Sequence, residues 1–280
     1  MEQLGTFVFV VIPLLASVSG SALPRISGGT ETRIGEFPYQ VAIVKSKTLT
    51  LRCAGALVRD NYVLTSAFCA HLGTASETQV LVGNNNLTHE TPSQLLDVEV
   101  IRAHEDYNID GRINDLAILK LRSNVRIQET ADAVSVRSTS TAEGTICTLT
   151  GWGSDIWNGQ SFPVLRTLNL SIVNNEYCTT QLGQTIASAQ ICAVGSQENN
   201  ACFLDEGDPL VCDGELTGVM SHSVNCGKQN KPSVYTDLAK YTAWIEKTIS
   251  DLSSATAKSF CRLTILAMLV AILTFWNTRT

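Results

Sequence analysis

The sequence predicts an all-β protein with one C-terminal helix, made in the secretory pathway. Between Pro38 and about residue 245, short apolar stretches such as VAIV, YVLT and LAILKL alternate with Gly, Asn, Ser and Thr. Short strands rich in β-branched residues at this spacing are typical of a sandwich or a barrel. Only the stretch 237–249, DLAKYTAWIEKTI, has the apolar spacing of a helix packed on the body.

The N-terminus has the pattern of a signal peptide. Residues 7–16, FVFVVIPLLA, form an apolar run that is followed by the small residues SVSGSA. A membrane-spanning helix needs about 20 apolar residues, so this run is too short to be one. We therefore expect a signal peptide over 1–22, cleaved near Gly20 or Ala22, and a short propeptide over 23–25.

Nine cysteines in a secreted chain indicate disulfides. Zinc is the competing interpretation, but the sequence has no CxxC pair and its four histidines do not flank the cysteines at ligand spacing. No metal site is predicted. The net charge is −6 with Lys and Arg scattered along the chain, which argues against nucleic acid as a partner.

Five motifs, in the right order, carry a family resemblance. They are ISGG (26–29) after Arg25, NDLAILKL (114–121), CTLTGWG (147–153), CFLDEGDPLVC (202–212) and PSVYTDLAKYTAWI (232–245). Together they resemble the chymotrypsin/trypsin family of serine proteases. The resemblance implies two six-stranded antiparallel β-barrels with a C-terminal helix, a homology domain over 26–249, and a site in the crevice between the barrels.

The resemblance also implies a disulfide framework. By the family pattern the pairs are Cys53–Cys69, Cys147–Cys212, Cys178–Cys192 and Cys202–Cys226, which leaves Cys261 outside the domain.

The catalytic positions of the family are changed. LTSAFC (64–69) resembles the family's LTAAHC, so Phe68 stands where the family has its histidine. Asp115 matches the aspartate and Glu206 the serine. Phenylalanine has no titratable nitrogen and glutamate has no hydroxyl. The sequence therefore predicts a catalytically inactive homologue without a cofactor; for Asp115 and Glu206, a solvated or paired state is favoured over a shared metal.

The accessory positions of the family differ as well. Leu204 replaces the glycine that supplies an oxyanion-hole N–H, and Asn200 lies at the base of the specificity pocket. Ser223 and Ser233 replace the two glycines that line this pocket. The activation bond Arg25–Ile26 is retained, as is Asp205, with which the family's freed N-terminal amine pairs.

Two sequons predict N-glycosylation, at Asn86 in the loop GNNNLTHE and at Asn169, which is expected to lie in a strand. Residues 250–280 form a polar spacer followed by the apolar run LTILAMLVAILTFW (263–276). Small residues at 253–255 before that run resemble a GPI-attachment signal. A spanning or embedded tail, or a hydrophobic extension of a soluble protein, are the alternatives.

The function expected from these features is that of a secreted or surface-anchored inactive protease homologue. Such a protein would bind extracellular protein partners as a cofactor, decoy or regulator, for example in a protease cascade, immunity or reproduction. The first alternative is an active serine-type endopeptidase with unorthodox catalytic groups. The second is an anchored adhesion or receptor-like protein that does not use the crevice.

Overall fold

The structure, a computed structural model, describes residues 29–88, 93–154, 159–195, 201, 205–224 and 231–255. Within these ranges the chain is mostly antiparallel sheet, folded into two closed six-stranded barrels. The predicted fold class is confirmed. The predicted signal peptide (1–22), the predicted propeptide (23–25), the Arg25–Ile26 bond and the apolar tail at 263–276 lie outside the described residues.

The first barrel is built from the N-terminal half in the order β2–β3–β4–β7–β6–β5, closed by pairing of β5 with β2. Its strands are β2 (Gln40–Lys45), β3 (Leu51–Arg59), β4 (Tyr62–Thr65), β5 (Thr78–Val82), β6 (Gln94–Ala103) and β7 (Ala117–Leu121). Successive side chains of a strand point to opposite faces, so one face of each strand lines the barrel interior. In β5, for example, Thr78, Val80 and Val82 are buried. Val80 and Val82 pack with Leu57 and Leu119 in the barrel interior.

The second barrel follows the order β8–β9–β10–β13–β12–β11 and closes by pairing of β8 with β11. Its strands are β8 (Ile146–Gly151), β9 (Arg166–Val173), β10 (Gln190–Val194), β11 (Pro209–Cys212), β12 (Glu215–His222) and β13 (Ser233–Asp237). The two-residue strand β1 (Thr30–Glu31) adds to the edge of β9. The core of the second barrel includes Leu149, Leu170, Leu210 and Met220.

Three α-helices accompany the barrels in the described ranges. α1 (Ala67–Ala70) connects β4 to β5 in the first barrel, and α2 (Asn175–Leu182) lies between β9 and β10 of the second. The predicted C-terminal helix begins with a 3₁₀ turn, Leu238–Lys240, and continues as α3 over 242–255. α3 runs beyond the predicted end at 249 because Leu252 is also buried, next to Ile245 and Ile249 at helical spacing.

An apolar cluster joins the two barrels. Leu64 and Ile118 of the first barrel pack with Val219 of the second and with Leu238 and Ile245 at the C-terminus. The described chain contains no helix that is both long enough and apolar enough to cross a membrane.

Three predicted disulfides are confirmed: Cys53–Cys69, Cys147–Cys212 and Cys178–Cys192. The fourth predicted pair, Cys202–Cys226, lies outside the described residues. Such bonds form in oxidising compartments, so they indicate a secreted or extracellular protein.

The sequons lie in two settings. Asn86 is in a loop, and its side-chain oxygen accepts hydrogen bonds from the N–H and the hydroxyl of Thr88, at 2.9 and 2.8 Å. Asn169 lies in β9, as expected, and is exposed. Glycosylation at both positions stays a prediction.

Candidate active-site crevice

Asp115 lies where the two barrels meet. It comes just before β7, and its side chain is fully buried. Its Oδ1 accepts a hydrogen bond from the backbone N–H of Phe68 at 2.9 Å, and its Oδ2 accepts one from the Ser221 hydroxyl at 2.6 Å. Because Ser221 belongs to β12, this carboxylate connects the two barrels.

The first turn of α1 explains why the Phe68 N–H is available. Ser66 caps this helix, and its hydroxyl oxygen accepts from the N–H of Cys69 at 3.1 Å. N–H groups in a first helical turn have no partner within the helix, so that of Phe68 can point at Asp115. The bridge from Cys69 to Cys53 fixes the same turn to β3.

Arg112 completes the surroundings of Asp115. Its Nη1 lies 3.5 Å from Asp115 Oδ2 and donates to the backbone oxygen of Ser221 at 3.3 Å. Its guanidinium carbon lies 3.9 Å from the centre of the Phe68 ring, in the geometry of a cation–π contact. The Arg112 guanidinium therefore contacts both the face of the half-buried Phe68 ring and the buried carboxylate of Asp115.

Burial and these contacts have opposite effects on Asp115. Burial raises the pKa of Asp115, while the Ser221 hydroxyl, the Phe68 N–H and Arg112 act to lower it. A lone carboxylate at such a buried position would be costly, so the three donors are what make its charged form tolerable.

His222 follows Ser221 and extends this network. Its Nδ1 lies 3.3 Å from the Ser221 hydroxyl, and its Nε2 lies 2.8 Å from Nε2 of Gln184. Burial, and secondarily the charge of Arg112, lower the pKa of His222 to about 4, so the ring is neutral at neutral pH. Asp115, Ser221 and His222 thus form a carboxylate–hydroxyl–imidazole chain, in which the hydroxyl is completely buried.

His71 lies three residues after Phe68 in sequence, but its side chain does not point toward Asp115. Its Nδ1 lies 2.7 Å from the backbone oxygen of Ala67, and its ring lies against that of Tyr107, with centroids 5.5 Å apart. It is not among the groups that contact Asp115 in the described structure.

Glu206 lies on a turn against the first barrel, where its carbonyl oxygen accepts from the Ala54 N–H at 3.4 Å. The turn runs from Asp205 to Asp208 and is closed by the Asp208 N–H, which donates to the Asp205 carbonyl at 3.0 Å. Glu206 is partly exposed, and its carbonyl oxygen lies 3.2 Å from Sγ of Cys69, the residue after Phe68. The structure therefore brings the segments that carry Phe68, Asp115 and Glu206 together where the two barrels meet.

Gly207 makes this turn possible. Its φ is +88°, and an added Cβ would collide with the carbonyl oxygen of Ala54 and the hydroxyl of Thr65. Only glycine meets both the conformational and the spatial requirement.

Among the other predicted site residues, Ser233 is fully buried as the first residue of β13, and Ser223 is partly exposed after β12. Asp205 is buried, and its Oδ1 accepts from the Gly153 N–H at 3.0 Å. Leu204 and Asn200 lie outside the described residues. In the described ranges no group of three His, Cys, Asp or Glu side chains could hold a metal ion.

Sequence reasoning missed Arg112, Ser221 and Gln184. A basic residue three positions before Asp115 was a signal for Arg112. Ser221 and Gln184 reach the site from β12 and from the chain after α2, and nothing local in the sequence marks them.

The sequence matches the Trypsin family over residues 26–245. The chain belongs to the trypsin family of serine proteases. Trypsin delta of Drosophila melanogaster is 32% identical over 225 residues, 79% of this chain and 87% of the relative. A trypsin of Xenopus laevis is 30% identical over 249 residues, 87% of this chain and 98% of the relative.

Solved structures agree with this membership. A structure of neuropsin, described as a serine protease expressed in the limbic system of mouse brain, matches with a TM-score of 0.72 and 30% identity. The match covers 79% of this chain and 98% of the neuropsin chain.

Proposed function

We propose that this trypsin-family chain is a secreted or surface-anchored, catalytically inactive homologue that acts by binding extracellular proteins. The observation that carries the proposal is the set of groups around Asp115. They are a backbone N–H, a serine hydroxyl and a guanidinium. None of these can take a proton from a nucleophile at neutral pH and return it to a leaving group.

The serine that touches Asp115 does not replace the missing nucleophile. Ser221 has no exposed surface, and its proton is directed to the carboxylate rather than to His222. A nucleophile must reach a substrate carbonyl, and a general base must hold the nucleophile's proton. The alternative of an active endopeptidase that uses Asp115, Ser221 and His222 is therefore disfavoured.

Hydrolysis assays test inactivity. Loss of the serine or the histidine costs up to about a millionfold in kcat in well-studied serine proteases. Purified protein cut after Arg25 should therefore hydrolyse peptide substrates no faster than a heat-inactivated sample, and should not react with an active-site serine probe. Saturable turnover that disappears in both Asp115→Ala and Ser221→Ala would establish the active alternative.

Restoring the two family residues provides a second test. The Phe68→His plus Glu206→Ser variant should not reach trypsin-like rates, because the guanidinium of Arg112 covers the face of residue 68 and approaches Asp115. Trypsin-like rates in this variant would show that the rest of the crevice is competent.

The binding surface distinguishes the proposal from an adhesion-type protein that does not use the crevice. With the bound partner recovered from native tissue, Arg112→Ala should weaken binding. The matched control is Arg59→Ala, which removes an exposed arginine that pairs with Glu246 on α3. Equal affinity of both variants and the wild type would favour the adhesion alternative.

We further propose attachment to the cell surface through a GPI anchor. Ser253 is held in α3, where its hydroxyl donates to the Ile249 carbonyl at 2.8 Å and contacts the Tyr62 hydroxyl at 2.8 Å. All three residues are exposed, but the Ser253 hydroxyl already has two partners, so Ser254 and Ala255 are better placed for attachment. Phosphatidylinositol-specific phospholipase C should release the protein, with no peptide from 263–276 in the mature form. Detection of that peptide in surface protein that resists the phospholipase would contradict this.

A further inference from the structure

We propose that Gln184 and the Ser221–Asp115 pair fix the ring proton of His222 on Nδ1, and that this arrangement makes the surrounding part of the second barrel sensitive to acid. His222 is the last residue of β12 and directly follows Ser221. Both of its ring nitrogens have a partner: Nδ1 lies 3.3 Å from Ser221 Oγ, and Nε2 lies 2.8 Å from Gln184 Nε2. The chemistry of the two partners decides where the proton lies.

The Asp115 side of this chain requires a donor at Nδ1. An ionised carboxylate only accepts hydrogen bonds, so the Ser221 hydroxyl donates its single proton to Asp115 Oδ2, at 2.6 Å. Ser221 Oγ can then only accept from His222, and Nδ1 must carry a proton. A neutral imidazole has one ring proton, so Nε2 is left as an acceptor.

Gln184 supplies the donor that an unprotonated Nε2 needs. An amide nitrogen only donates, and that of Gln184 faces the ring. Gln184 directly follows Gly183, which caps α2 in the left-handed conformation with φ +67° and donates its N–H to the Thr179 carbonyl at 2.8 Å. The end of the helix therefore fixes where the Gln184 side chain starts. Asp115 and Gln184 lie at opposite ends of the chain of contacts and require the same position of the proton.

The charged groups around His222 disfavour a second proton on the ring. Arg112, from the segment before β7, donates to the Ser221 carbonyl at 3.3 Å, and its positive charge acts on His222. Asp115, from the same segment, is the carboxylate of the chain, and Arg112 already lies 3.5 Å from it. On β13 the residue paired with His222 is the uncharged Val234. Burial, and then Arg112, lower the pKa of His222 to about 4.

A proton on Nε2 would break the contact with Gln184. The lone pair of Nε2 is lost, so the Gln184 amide N–H has no acceptor there. The contact can form again only if the amide turns over and presents its oxygen. Even then, the partly buried ring would hold a positive charge close to Arg112. Acidification therefore acts on the connection between β12 and the chain after α2.

The sign of the pH effect follows from the lowered pKa. A histidine of the unfolded chain takes up its proton around pH 6.5, whereas folded His222 does so only at about 4. The stabilisation from the neutral ring is fully present above the unfolded pKa and is lost as pH falls to the folded pKa. Between these values the folding equilibrium constant should fall by up to about tenfold per pH unit because of this ring.

NMR of the His222 ring tests the proposal directly. The wild-type protein is labelled with ¹⁵N-histidine, and the ring nitrogens are assigned by through-bond experiments. At neutral pH the ring should be neutral with its proton on Nδ1, and it should titrate at about pH 4. A ring that carries its proton on Nε2 at neutral pH, or that titrates near pH 6.5, would overturn the proposal.

Gln184→Leu tests whether Gln184 positions the ring. The variant removes the donor to Nε2, which only the neutral ring can use, so His222 should titrate roughly 0.5–1 pH unit higher than in the wild type. Gln181→Leu is the matched control, because Gln181 lies on α2 three positions earlier and its side chain makes no hydrogen bond among the described residues. It should titrate as the wild type does. Equal titration in the two variants would show that Gln184 does not position the ring.

Denaturant unfolding provides a measurement that does not depend on Gln184→Leu. Between about pH 6.5 and 4, the folding equilibrium constant of the wild type should fall relative to that of His222→Gln, by up to about tenfold per pH unit. The other titrating groups are present in both proteins, so the comparison isolates the ring. Equal pH slopes in the two proteins would overturn the acid sensitivity.

Discussion

Removing the Ser221 hydroxyl should destabilise the protein in a pH-dependent way. In Ser221→Ala, Asp115 loses its 2.6 Å donor and keeps only the Phe68 N–H and Arg112. A hydrogen bond to a charged group contributes about 1.5–3 kcal/mol, against about 0.5–1.5 kcal/mol for a neutral pair. Because both side chains are fully buried, solvent cannot replace the lost donor. We expect a loss of about 2 kcal/mol where Asp115 is ionised.

The pH dependence follows from the protonation of Asp115. Its pKa is already raised, mainly by burial, and loss of the Ser221 donor raises it further. The cost of Ser221→Ala is therefore greatest above both folded pKa values, where Asp115 is ionised in each protein. It decreases toward about 1 kcal/mol at pH values at which both are protonated and the lost bond is neutral.

Denaturant unfolding at several pH values measures this effect. Thr236→Val is the matched control, because the Thr236 hydroxyl donates to the uncharged backbone oxygen of Asp115 at 2.7 Å and is equally buried. It should cost about 1 kcal/mol at every pH. A cost of Ser221→Ala that is constant with pH, or no larger than that of Thr236→Val, would show that Asp115 is not charged in the fold.

Three further predictions concern the framework. Gly207→Ala should lower the free energy of unfolding by about 2–6 kcal/mol through strain and overpacking, as measured by denaturant unfolding. The control is Gly144→Ala, which is also at positive φ but has no atom within 4 Å of the added Cβ, and it should cost about 1 kcal/mol. Arg112→Ala should cost about 1–3 kcal/mol, because the buried Asp115 carboxylate loses one of its three partners. The same change at the exposed Arg59 should cost less than about 1 kcal/mol, and equal costs would contradict this. Non-reducing peptide mapping should find Cys202–Cys226 beside the three confirmed pairs, and any other partner for Cys202 would contradict the family framework.

The sequence predicted the fold well because its strands have local signals. Stretches such as YVLT and LAILKL became β4 and β7, and the helical spacing after residue 237 became the C-terminal helix. The barrel pairing itself came from the family resemblance, since alternation alone was equally typical of a sandwich. The predicted bounds of the C-terminal helix, 237–249, were less accurate. Asp237 caps a 3₁₀ turn before α3 starts, and the burial of Leu252 under Lys120, which donates to its carbonyl at 3.0 Å, extends the helix.

The site was predicted only in part. Family motifs located Phe68, Asp115, Glu206 and Asp205, because each lies within a run of residues that resembles a family motif. The groups that donate hydrogen bonds to the buried carboxyls come from distant segments: Ser221 is 106 positions from Asp115, and Gln40 is 168 positions from Asp208. Their roles depend on how two barrels meet, and a single sequence contains no local pattern for that.

The contacts of Asp115 explain how an aspartate can be kept when its histidine partner is absent. Its side chain bonds Ser221 of β12, its backbone oxygen accepts from Thr236 of β13, and the neighbouring Asn114 accepts from the hydroxyl of Tyr241 at 2.8 Å. The segment before β7 is thus attached to the second barrel at two points and to Tyr241, just before α3, at a third. Replacing Asp115 would leave a buried serine hydroxyl and a helical N–H without their acceptor, which carries a cost whether or not the protein cleaves anything. Retention of this residue therefore argues for an intact junction between the barrels, and it gives no support to catalysis.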